Sequence, residues 1–234
     1  MLDRFLSFSE HNRREWVADR AKGLPPGSKI LDVGAGAGPY RRYFGHCEYR
    51  AHDFALEPGT HGRYTNLDFQ SDILEIRSPD AAFDAILCTE VLEHVPEPIG
   101  AIREMARLLR PGGRIFLTAP LGSWLHQEPY HFYGGYTPYW YKKFLVEAGF
   151  EAPTVEPNMG FFSFFGQEAS RFSALIDPRR TGTVPIIARI ALTVFWIFTL
   201  PLFRIALPLL APWLDGCGLQ RICAVGYHVS AVKK

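Results

Sequence analysis

The chain of 234 residues has no surplus of charge of either sign and contains few cysteines. Lys and Arg total 25 against 24 Asp and Glu, so it lacks the basic field with which nucleic-acid-binding proteins collect phosphates. We expect no nucleic-acid partner. The four cysteines are too few for a secreted disulfide scaffold and lack the CxxC spacing of a zinc site. Reduced thiols in a cytoplasmic compartment are the prediction.

Strand patterns alternate with helical patterns over the first 150 residues. The strand patterns lie at residues 29–33, 49–53, 83–89 and 114–119, with a further extended piece near residues 64–68. A helix is predicted to begin over residues 40–44, and another spans residues 99–109. Such alternation with short loops predicts βαβ units and a mostly parallel sheet.

A glycine-rich turn follows the first strand. Its sequence is Asp32-Val33-Gly34-Ala35-Gly36-Ala37-Gly38. Such a turn lets backbone amides approach a ligand beside a helix N-terminus. The dinucleotide pattern GxGxxG fails at Pro39, whereas GxGxG is satisfied. Asp32 would repel a pyrophosphate but suits a ligand that carries an ammonium and a sulfonium; the alternative is a tight turn with no ligand.

Acidic residues follow the second and third predicted strands. Asp53 stands nineteen residues after Gly34, where a carboxylate can accept the ribose hydroxyls of an adenosine; the alternative is a strand-ending Asp that caps a turn. Asp72 would lie near the adenine amino group, with Ile73 on the face of the ring. Asp68 competes with Asp72 for this role, and either residue could be a solvated loop charge.

Further motifs complete a family pattern. They are Phe83-Asp84-Ala85-Ile86, Thr89-Glu90-Val91-Leu92-Glu93-His94-Val95, Arg107-Leu108-Leu109-Arg110-Pro111-Gly112-Gly113, Tyr136-Thr137 and Glu147-Ala148-Gly149-Phe150. With these motifs the chain resembles the class I S-adenosylmethionine-dependent methyltransferases of the type 11 and type 23 domain group, which includes the quinone-biosynthesis O-methyltransferases. The resemblance extends to about residue 150. The family most often has cysteine at Ala35, a position that lines the turn.

The resemblance implies an α/β, Rossmann-like sheet of seven strands, the last of them antiparallel, and S-adenosylmethionine as cofactor. It implies that Glu93 and His94 orient a loop rather than act in catalysis. The residues expected to bind the cofactor are Asp32, Gly34, Ala35, Gly36, Gly38, Asp53, Asp72, Ile73, Thr89 and Glu90.

The loop after the fifth strand is rich in histidine and tyrosine and is predicted to overhang the sulfonium. His131 is the first candidate for a general base because an imidazole titrates near neutral pH, and His126 is the second. The alternative is that His131 bonds a loop carbonyl. No histidine here pairs with cysteine at ligand spacing, so no metal is predicted.

A long apolar segment interrupts the α/β pattern before the last strand. Between residues 184 and 214, 23 of 31 residues are Ala, Val, Ile, Leu, Phe or Trp. The chain must return to the same sheet afterwards, which argues against a single membrane span. The second part of the run, residues 205–214, is short and contains Pro208 and Pro212, so it cannot provide a second span. We expect a monotopic or shallow re-entrant helical pair that lies in a membrane interface. A buried helical subdomain or a homodimer interface is the alternative.

These patterns predict a methyltransferase domain in residues 1–159 plus 217–234, with residues 160–216 as an apolar helical insertion between the sixth and seventh strands. The expected reaction is methyl transfer, at oxygen, to a hydrophobic or lipid-linked small molecule. The protein would be peripheral or monotopic on the cytoplasmic face of a membrane, and it could form oligomers. The alternatives are a catalytically silent, membrane-anchored cofactor-binding protein and an NAD-binding oxidoreductase; Pro39 and Asp32 both speak against the latter.

Overall fold

The computed structural model describes residues 8–54, 67–180, 182, 185–218 and 223–234. The chain divides into two compact units. The sheet unit comprises Asn12–Glu156 and Gly226–Lys234, and the helical unit comprises Met1–His11 and Pro157–Val225.

One mixed sheet of seven strands organises the fold. The strands are β1 (Lys29–Val33), β2 (Glu48–Asp53), β3 (Phe69–Gln70), β4 (Phe83–Thr89), β5 (Leu109–Pro120), β6 (Thr154–Asn158) and β7 (Gly226–Val232). Their order across the sheet is β3-β2-β1-β4-β5-β7-β6. The pairs β1/β2, β1/β4, β2/β3 and β4/β5 are parallel, whereas β7 runs antiparallel to β5. The predicted seven-stranded sheet with an antiparallel last strand is therefore confirmed.

The position of the third strand differs from the prediction. The extended piece was expected near residues 64–68, of which residues 64–66 lie outside the described part of the chain. In the structure the strand begins at Phe69 and has only two residues. Asp68 immediately precedes it, and its carboxylate accepts the backbone N–H of Ala51 at 2.9 Å and a hydrogen bond from Arg50 at 2.7 Å. These bonds hold the approach to β3 against β2.

Helices pack against both faces of the sheet. On one face lie α2 (Pro98–Leu108) and α3 (Pro138–Glu147), which contribute Ile102, Met105, Tyr141 and Leu145 to the larger apolar core. On the opposite face lies α1 (Phe8–Lys22). Its Trp16 and Val17 pack in a second core cluster with Ile30 and Phe116. Each face of the central strands is thereby shielded from water.

The connection from β1 to β2 contains no α-helix, which corrects the helix expected to begin over residues 40–44. A single 3₁₀ turn, Arg41–Phe44, is followed by Gly45, and β2 starts at Glu48. The few residues between Phe44 and Glu48 leave no room for further helical turns. Phe44 is buried in the same core cluster as Trp16, so α1 covers the face that a longer connecting helix would otherwise cover.

Between β6 and β7 the chain forms the helices of the helical unit. They are α4 (Phe161–Leu175), α5 (Ile186–Pro201), a π-helical turn (Leu202–Ala206) and α6 (Leu207–Gly216). The last three form one continuous helix of 31 residues. Pro208 and Pro212 both lie within this continuous helix, and Pro208 follows the π-helical turn directly. The expected helical pair in this segment is thus a single helix.

A close helix contact and a side-chain cap join α4 to α6. A Cβ atom on Gly166 would lie 3.0 Å from Cβ of Ala211 and 3.3 Å from the carbonyl oxygen of Leu207, so the absence of a side chain lets the helices approach. The carboxylate of Asp215 accepts the backbone N–H groups of Gly160, Phe162 and Ser163 at 2.9–3.0 Å. The end of α6 therefore supplies the N-terminal cap of α4.

Asp215→Ala is expected to loosen the first turn of α4, because three backbone donors lose their acceptor. A helix cap contributes about 1–2 kcal/mol, which corresponds to roughly tenfold faster amide hydrogen exchange at Phe162 and Ser163. Exchange measured by mass spectrometry checks this, and Asp215→Asn, which keeps one carbonyl oxygen, should have a smaller effect. Unchanged exchange in Asp215→Ala would show that the cap contributes nothing.

Candidate cofactor site

The glycine turn after β1 has a backbone that only glycine adopts easily. Gly34, Gly36 and Gly38 have φ angles of +71°, +54° and +67°, a region that costs other residues about 1–2 kcal/mol. A Cβ atom on Gly34 would also lie 2.4 Å from Cγ2 of Val91. Gly34 is therefore required both by its φ angle and by the close approach of the turn to the segment after β4.

The amides of this turn bond within the protein, which corrects the expectation that they face a ligand. The N–H groups of Gly34 and Ala35 both donate to the carbonyl of His52 at 2.9 Å, and that of Gly38 donates to Ala35 at 2.8 Å. The N–H of Gly36 donates to the carboxylate of Asp53 at 2.8 Å. With these amides engaged and no α-helix following, the turn is poorly suited to a pyrophosphate. This geometry argues against the dinucleotide alternative.

A cavity of about 510 Å³ lies at the carboxyl ends of the parallel strands, within the sheet unit. Six of the ten predicted cofactor residues line it, namely Gly34, Gly36, Asp53, Asp72, Ile73 and Glu90. The rest of its lining comprises His52, Phe54, Leu74, Val91, His94, Val95, Pro96, Glu97, Gln127, Tyr130 and Phe132. Among these lining residues are four carboxylates and no lysine or arginine, so the cavity favours a cationic ligand.

Asp53 and Asp72, the two residues expected to bind an adenosine, both line the cavity. Asp53 ends β2 and lines the cavity beside Gly36. Asp72 also lines the cavity, and its carboxylate accepts the N–H of Leu74 at 2.9 Å. This bond orients Ile73, which is buried in the cavity wall. Asp68 does not line the cavity, because its carboxylate is bonded to Arg50 and Ala51 as described above. Of the two competing residues, Asp72 is the one at the site.

Four predicted cofactor residues, Asp32, Ala35, Gly38 and Thr89, are not among the residues that line the cavity. Asp32 lies beneath the turn, 1% exposed, and accepts a hydrogen bond from the Tyr49 hydroxyl. Burial raises the pKa of Asp32 to about 7, an effect that the Tyr49 bond opposes and the charge of Asp53 increases. Its carboxyl group is therefore not exposed to the cavity, and the expected direct contact with the cofactor is not available in this conformation.

Asp32→Asn is expected to stabilise the folded protein at pH 8 but much less near pH 4. The pKa of Asp32 rises from 3.8 to about 7 on folding, so its contribution to stability is fully present below pH 4 and is lost as the pH rises through 7. A shift of this size corresponds to about 2–4 kcal/mol at alkaline pH. Denaturant unfolding of both proteins between pH 4 and 8 tests this. A difference that does not vary with pH would contradict the burial argument.

Glu90 follows β4 in a left-handed conformation, with a φ of +53°, and its side chain is held from two sides. Thr118 donates to Oε1 at 2.8 Å, and the guanidinium of Arg13 lies 3.2 Å from Oε2. Arg13 also donates to the hydroxyl of Tyr40 at 3.0 Å. Strained non-glycine residues of this kind concentrate at ligand sites. Arg13 was not predicted from the sequence, because it lies in a charged helix with no motif around it.

The loop after β5 is tied to the 3₁₀ turn Leu92–His94 that follows β4. The carbonyl of Glu93 accepts the N–H groups of Phe132 and Tyr133 at 2.9 and 3.2 Å, and the carbonyl of Leu92 accepts the Tyr136 hydroxyl at 2.7 Å. Nδ1 of His94 lies 2.5 Å from the carbonyl oxygen of Tyr130. Burial raises the pKa of Glu93 to about 8, and the neighbouring charge of Glu90 adds to the rise. Glu93 and His94 thus orient the loop over the cavity.

Three histidines of these two segments cluster together. The ring centroids of His94 and His126 are 4.7 Å apart, as are those of His126 and His131. His94 lines the cavity, whereas His126 and His131 stand behind it in the loop. Nε2 of His131 lies 2.9 Å from the hydroxyl of Ser123, and Nδ1 of His126 lies 2.7 Å from the carbonyl of Trp124. The two predicted base candidates are therefore brought together, and His94 joins them.

Comparison with known proteins decides the family. A family model described as a methyltransferase domain matches residues 5–166, more than half of the chain. The chain belongs to the class I S-adenosylmethionine-dependent methyltransferase family. The ubiquinone biosynthesis O-methyltransferase of Aeromonas salmonicida is 34% identical over 121 residues, which are 45% of this chain and 48% of that protein. The enzyme of that name from Xanthomonas axonopodis pv. citri is 36% identical over 116 residues, with the same coverage. The methyltransferase thus spans about half the length of these curated relatives.

Solved structures agree with the fold. The [4+2]-cyclase SpnF superimposes with a TM-score of 0.57 at 21% identity, covering 95% of this chain and 80% of its own. Phosphoethanolamine N-methyltransferase 2 of Haemonchus contortus, solved in complex with S-adenosyl-L-methionine, gives 0.52 at 17% identity over 95% of this chain and 52% of its own. At such identities these likenesses concern the fold of the methyltransferase alone.

The cavity fits the family's cofactor on its own geometry. A nucleoside bearing a sulfonium and an ammonium carries no phosphate, and four N–H groups of the turn, those of Gly34, Ala35, Gly36 and Gly38, are already bonded within the protein. Its cationic groups suit a wall of four carboxylates. A Cβ atom at Gly36 would have no heavy atom within 4 Å, so a bulky ligand can lie close to the backbone at this glycine.

Proposed function

We propose that this methyltransferase acts at a membrane surface and transfers the methyl group to an oxygen atom of a hydrophobic or lipid-linked small molecule. In this proposal residues 1–159 plus 217–234 form the catalytic domain and residues 160–216 form the membrane-interfacial insertion. The protein would be peripheral or monotopic on the cytoplasmic face. The single observation that carries the membrane part is the exposure of the long helix Ile186–Gly216.

The N-terminal half of this helix, α5, is apolar on every side and has no buried residue. Its largest exposed side chains include Ile187 at 80% and Phe198 at 78%, and its only charged residue is Arg189. Such an extended apolar surface is unfavourable in water, and lipid can cover it without a matching partner face. The size of the exposed apolar surface therefore supports contact with lipid over a homodimer partner.

The length of the helix and its polar residues support an orientation along the membrane surface. At 1.5 Å per residue, 31 residues extend about 46 Å, well beyond the roughly 30 Å of a hydrocarbon core. Trp213, which is 66% exposed, and Arg204 suit interfacial depth. At the other end, the guanidinium of Arg179 stacks 5.0 Å from the ring of Trp196, and Arg189 donates to the carbonyl of Gly182. Residues suited to the membrane interface therefore occur in both halves of the helix, as an orientation along the surface requires.

The cavity supports an apolar acceptor. Phe54 and Phe132 line it while remaining 45% and 47% exposed, which gives the cavity mouth an apolar rim. The bound cofactor supplies an electrophilic methyl group, and the chain's task is to hold the acceptor in line with it and to accept the proton of a hydroxyl. We propose His131 as the general base, with His126 as the second candidate.

The proposal is tested by incubating the protein with methyl-labelled S-adenosylmethionine and with separated lipid and aqueous extracts of bacterial membranes. We expect label in the lipid extract, in a product that survives mild alkaline hydrolysis as a methyl ether does. Label confined to protein or to water-soluble products would overturn the lipid acceptor. Cofactor binding without label in any fraction would favour the catalytically silent alternative.

A further inference from the structure

A group of metal-binding side chains stands at the edge of the cavity. Glu93, His94 and His126 each offer one ligand atom, and these atoms lie within 4.8 Å of one another. Glu93 and His94 lie in the 3₁₀ turn after β4, whereas His126 comes from the loop after β5. The two segments are fastened together by the bonds from Phe132 and Tyr133 to the carbonyl of Glu93. Two imidazoles and a carboxylate are thus held together by ordered backbone.

Both imidazoles are oriented as metal-ligating histidines are. Nδ1 of His94 bonds the carbonyl of Tyr130, and Nδ1 of His126 bonds the carbonyl of Trp124. A backbone carbonyl accepts only, so each Nδ1 carries the proton and each Nε2 carries the lone pair. Ligating histidines characteristically donate their second ring N–H to such a carbonyl, which fixes both the tautomer and the direction of the ring.

The carboxylate of Glu93 gives the second, independent observation. Its side chain is 1% exposed, and its Oε2 atom is buried with no hydrogen-bond partner among the described residues. Nε2 of His94 lies 3.8 Å from Oε1 of the same carboxylate. A buried carboxyl oxygen without a partner is costly, and a metal ion bound between Glu93 and the two rings would displace the carboxyl proton and provide that partner.

We propose that Glu93, His94 and His126 bind one divalent transition-metal ion of the zinc class. Two imidazoles and one carboxylate suit zinc, iron(II) or cobalt(II), whereas magnesium and calcium prefer sites made of oxygen ligands alone. Three protein ligands leave an open coordination position. Because His94 lines the cavity, an ion held by these residues would lie beside it and could take an oxygen atom of the acceptor at that position. Only this last role rests on the proposed function; the ion site itself does not.

The experiment is a cobalt(II) titration of the chelator-treated protein, followed by visible absorption, with zinc(II) binding measured by calorimetry. We expect one ion per chain and ligand-field bands that zinc abolishes by competition. His126→Asn and Glu93→Gln should each weaken binding by at least about 10- to 100-fold. His46→Asn, which alters a histidine bonded to the carbonyls of Ala21 and Leu24, should leave binding unchanged.

Two results would overturn the site: wild-type protein that binds no stoichiometric ion, or binding that survives both ligand substitutions. His126 is exposed in its loop, so His126→Asn keeps the test valid even if Glu93→Gln fails to fold. The outcome is independent of methyl transfer. Ion binding without labelled product would leave the site standing and the proposed function in error, and labelled product without ion binding would do the reverse.

Discussion

Gly34→Ala is expected to weaken the binding of S-adenosylmethionine by about 100-fold or more. The left-handed backbone alone costs an alanine about 1–2 kcal/mol, and the added Cβ would lie 2.4 Å from Cγ2 of Val91. Relief of that overlap requires the turn or the segment after β4 to move, and both line the cavity. Since 1.4 kcal/mol corresponds to a factor of ten, the two effects together give the expected loss. Calorimetric titration with the cofactor measures it.

Gly38→Ala is the matched control. Gly38 has a φ of +67°, a Cβ atom there would have no heavy atom within 4 Å, and Gly38 does not line the cavity, so this variant carries the backbone cost without the overlap. We expect it to weaken cofactor binding by no more than about 10-fold. Adding Val91→Ala to Gly34→Ala should restore affinity to the level of Gly38→Ala, because it removes both Cγ atoms. Equal losses for Gly34→Ala and Gly38→Ala would show that the contact with Val91 does not affect cofactor binding.

Replacing Ile187 and Phe198 together by aspartate is expected to release the methyltransferase from vesicles of phosphatidylcholine and phosphatidylglycerol. Each side chain contributes about 1.5–3 kcal/mol when it leaves water for an apolar environment, and each aspartate adds the cost of placing a charge there. The partition coefficient should therefore fall by 100-fold or more. Flotation of the protein with vesicles through a density gradient measures it.

Tyr139→Asp controls for the general effect of adding an acidic residue. Tyr139 is 81% exposed on α3 of the sheet unit, so its replacement changes a comparably exposed side chain outside the long helix. We expect its vesicle binding to match that of the wild type. If the double variant still floats with vesicles, or if the wild type does not, the membrane assignment is wrong. A wild-type protein that is dimeric in solution and ignores vesicles would support the interface alternative.

The parts of the site that were predicted from the sequence are those encoded within a few residues. The glycine turn, Asp53 and Asp72 stand at strand ends, and strand ends of a parallel sheet meet at one edge. Glu90 was predicted for the same reason, since it follows β4. The burial of Asp32 beneath the turn was not predicted, because it depends on Tyr49 in the neighbouring strand.

The features that were missed depend on contacts between distant segments. Arg13 reaches Glu90 from a helix 77 positions earlier in the chain. His126 meets His94 only because the loop after β5 folds back onto Glu93. Neither contact can be predicted from the spacing of residues along the chain. For the same reason the sequence, which lacks closely spaced metal ligands, predicts no metal site.

Two helical elements differ in length from the predictions, because local sequence patterns do not determine where a helix ends. The residues after Pro39 favour a helical turn, yet Gly45 and the nearby start of β2 limit it to Arg41–Phe44. The apolar segment was expected to form a helical pair, but α5 continues through the π-helical turn at Leu202–Ala206 into α6 as one helix. Helix length here is set by tertiary connection rather than by propensity.

The central claim is that the apolar helix brings a lipid-borne acceptor to a cofactor site in the same chain. The most direct measurement compares the wild type with the Ile187→Asp/Phe198→Asp variant for transfer of labelled methyl from S-adenosylmethionine into the lipid phase of native membrane vesicles. The account predicts that the variant binds the cofactor as tightly as the wild type yet loses at least nine tenths of the lipid label, an about tenfold effect. Equal lipid labelling by the two proteins would contradict it.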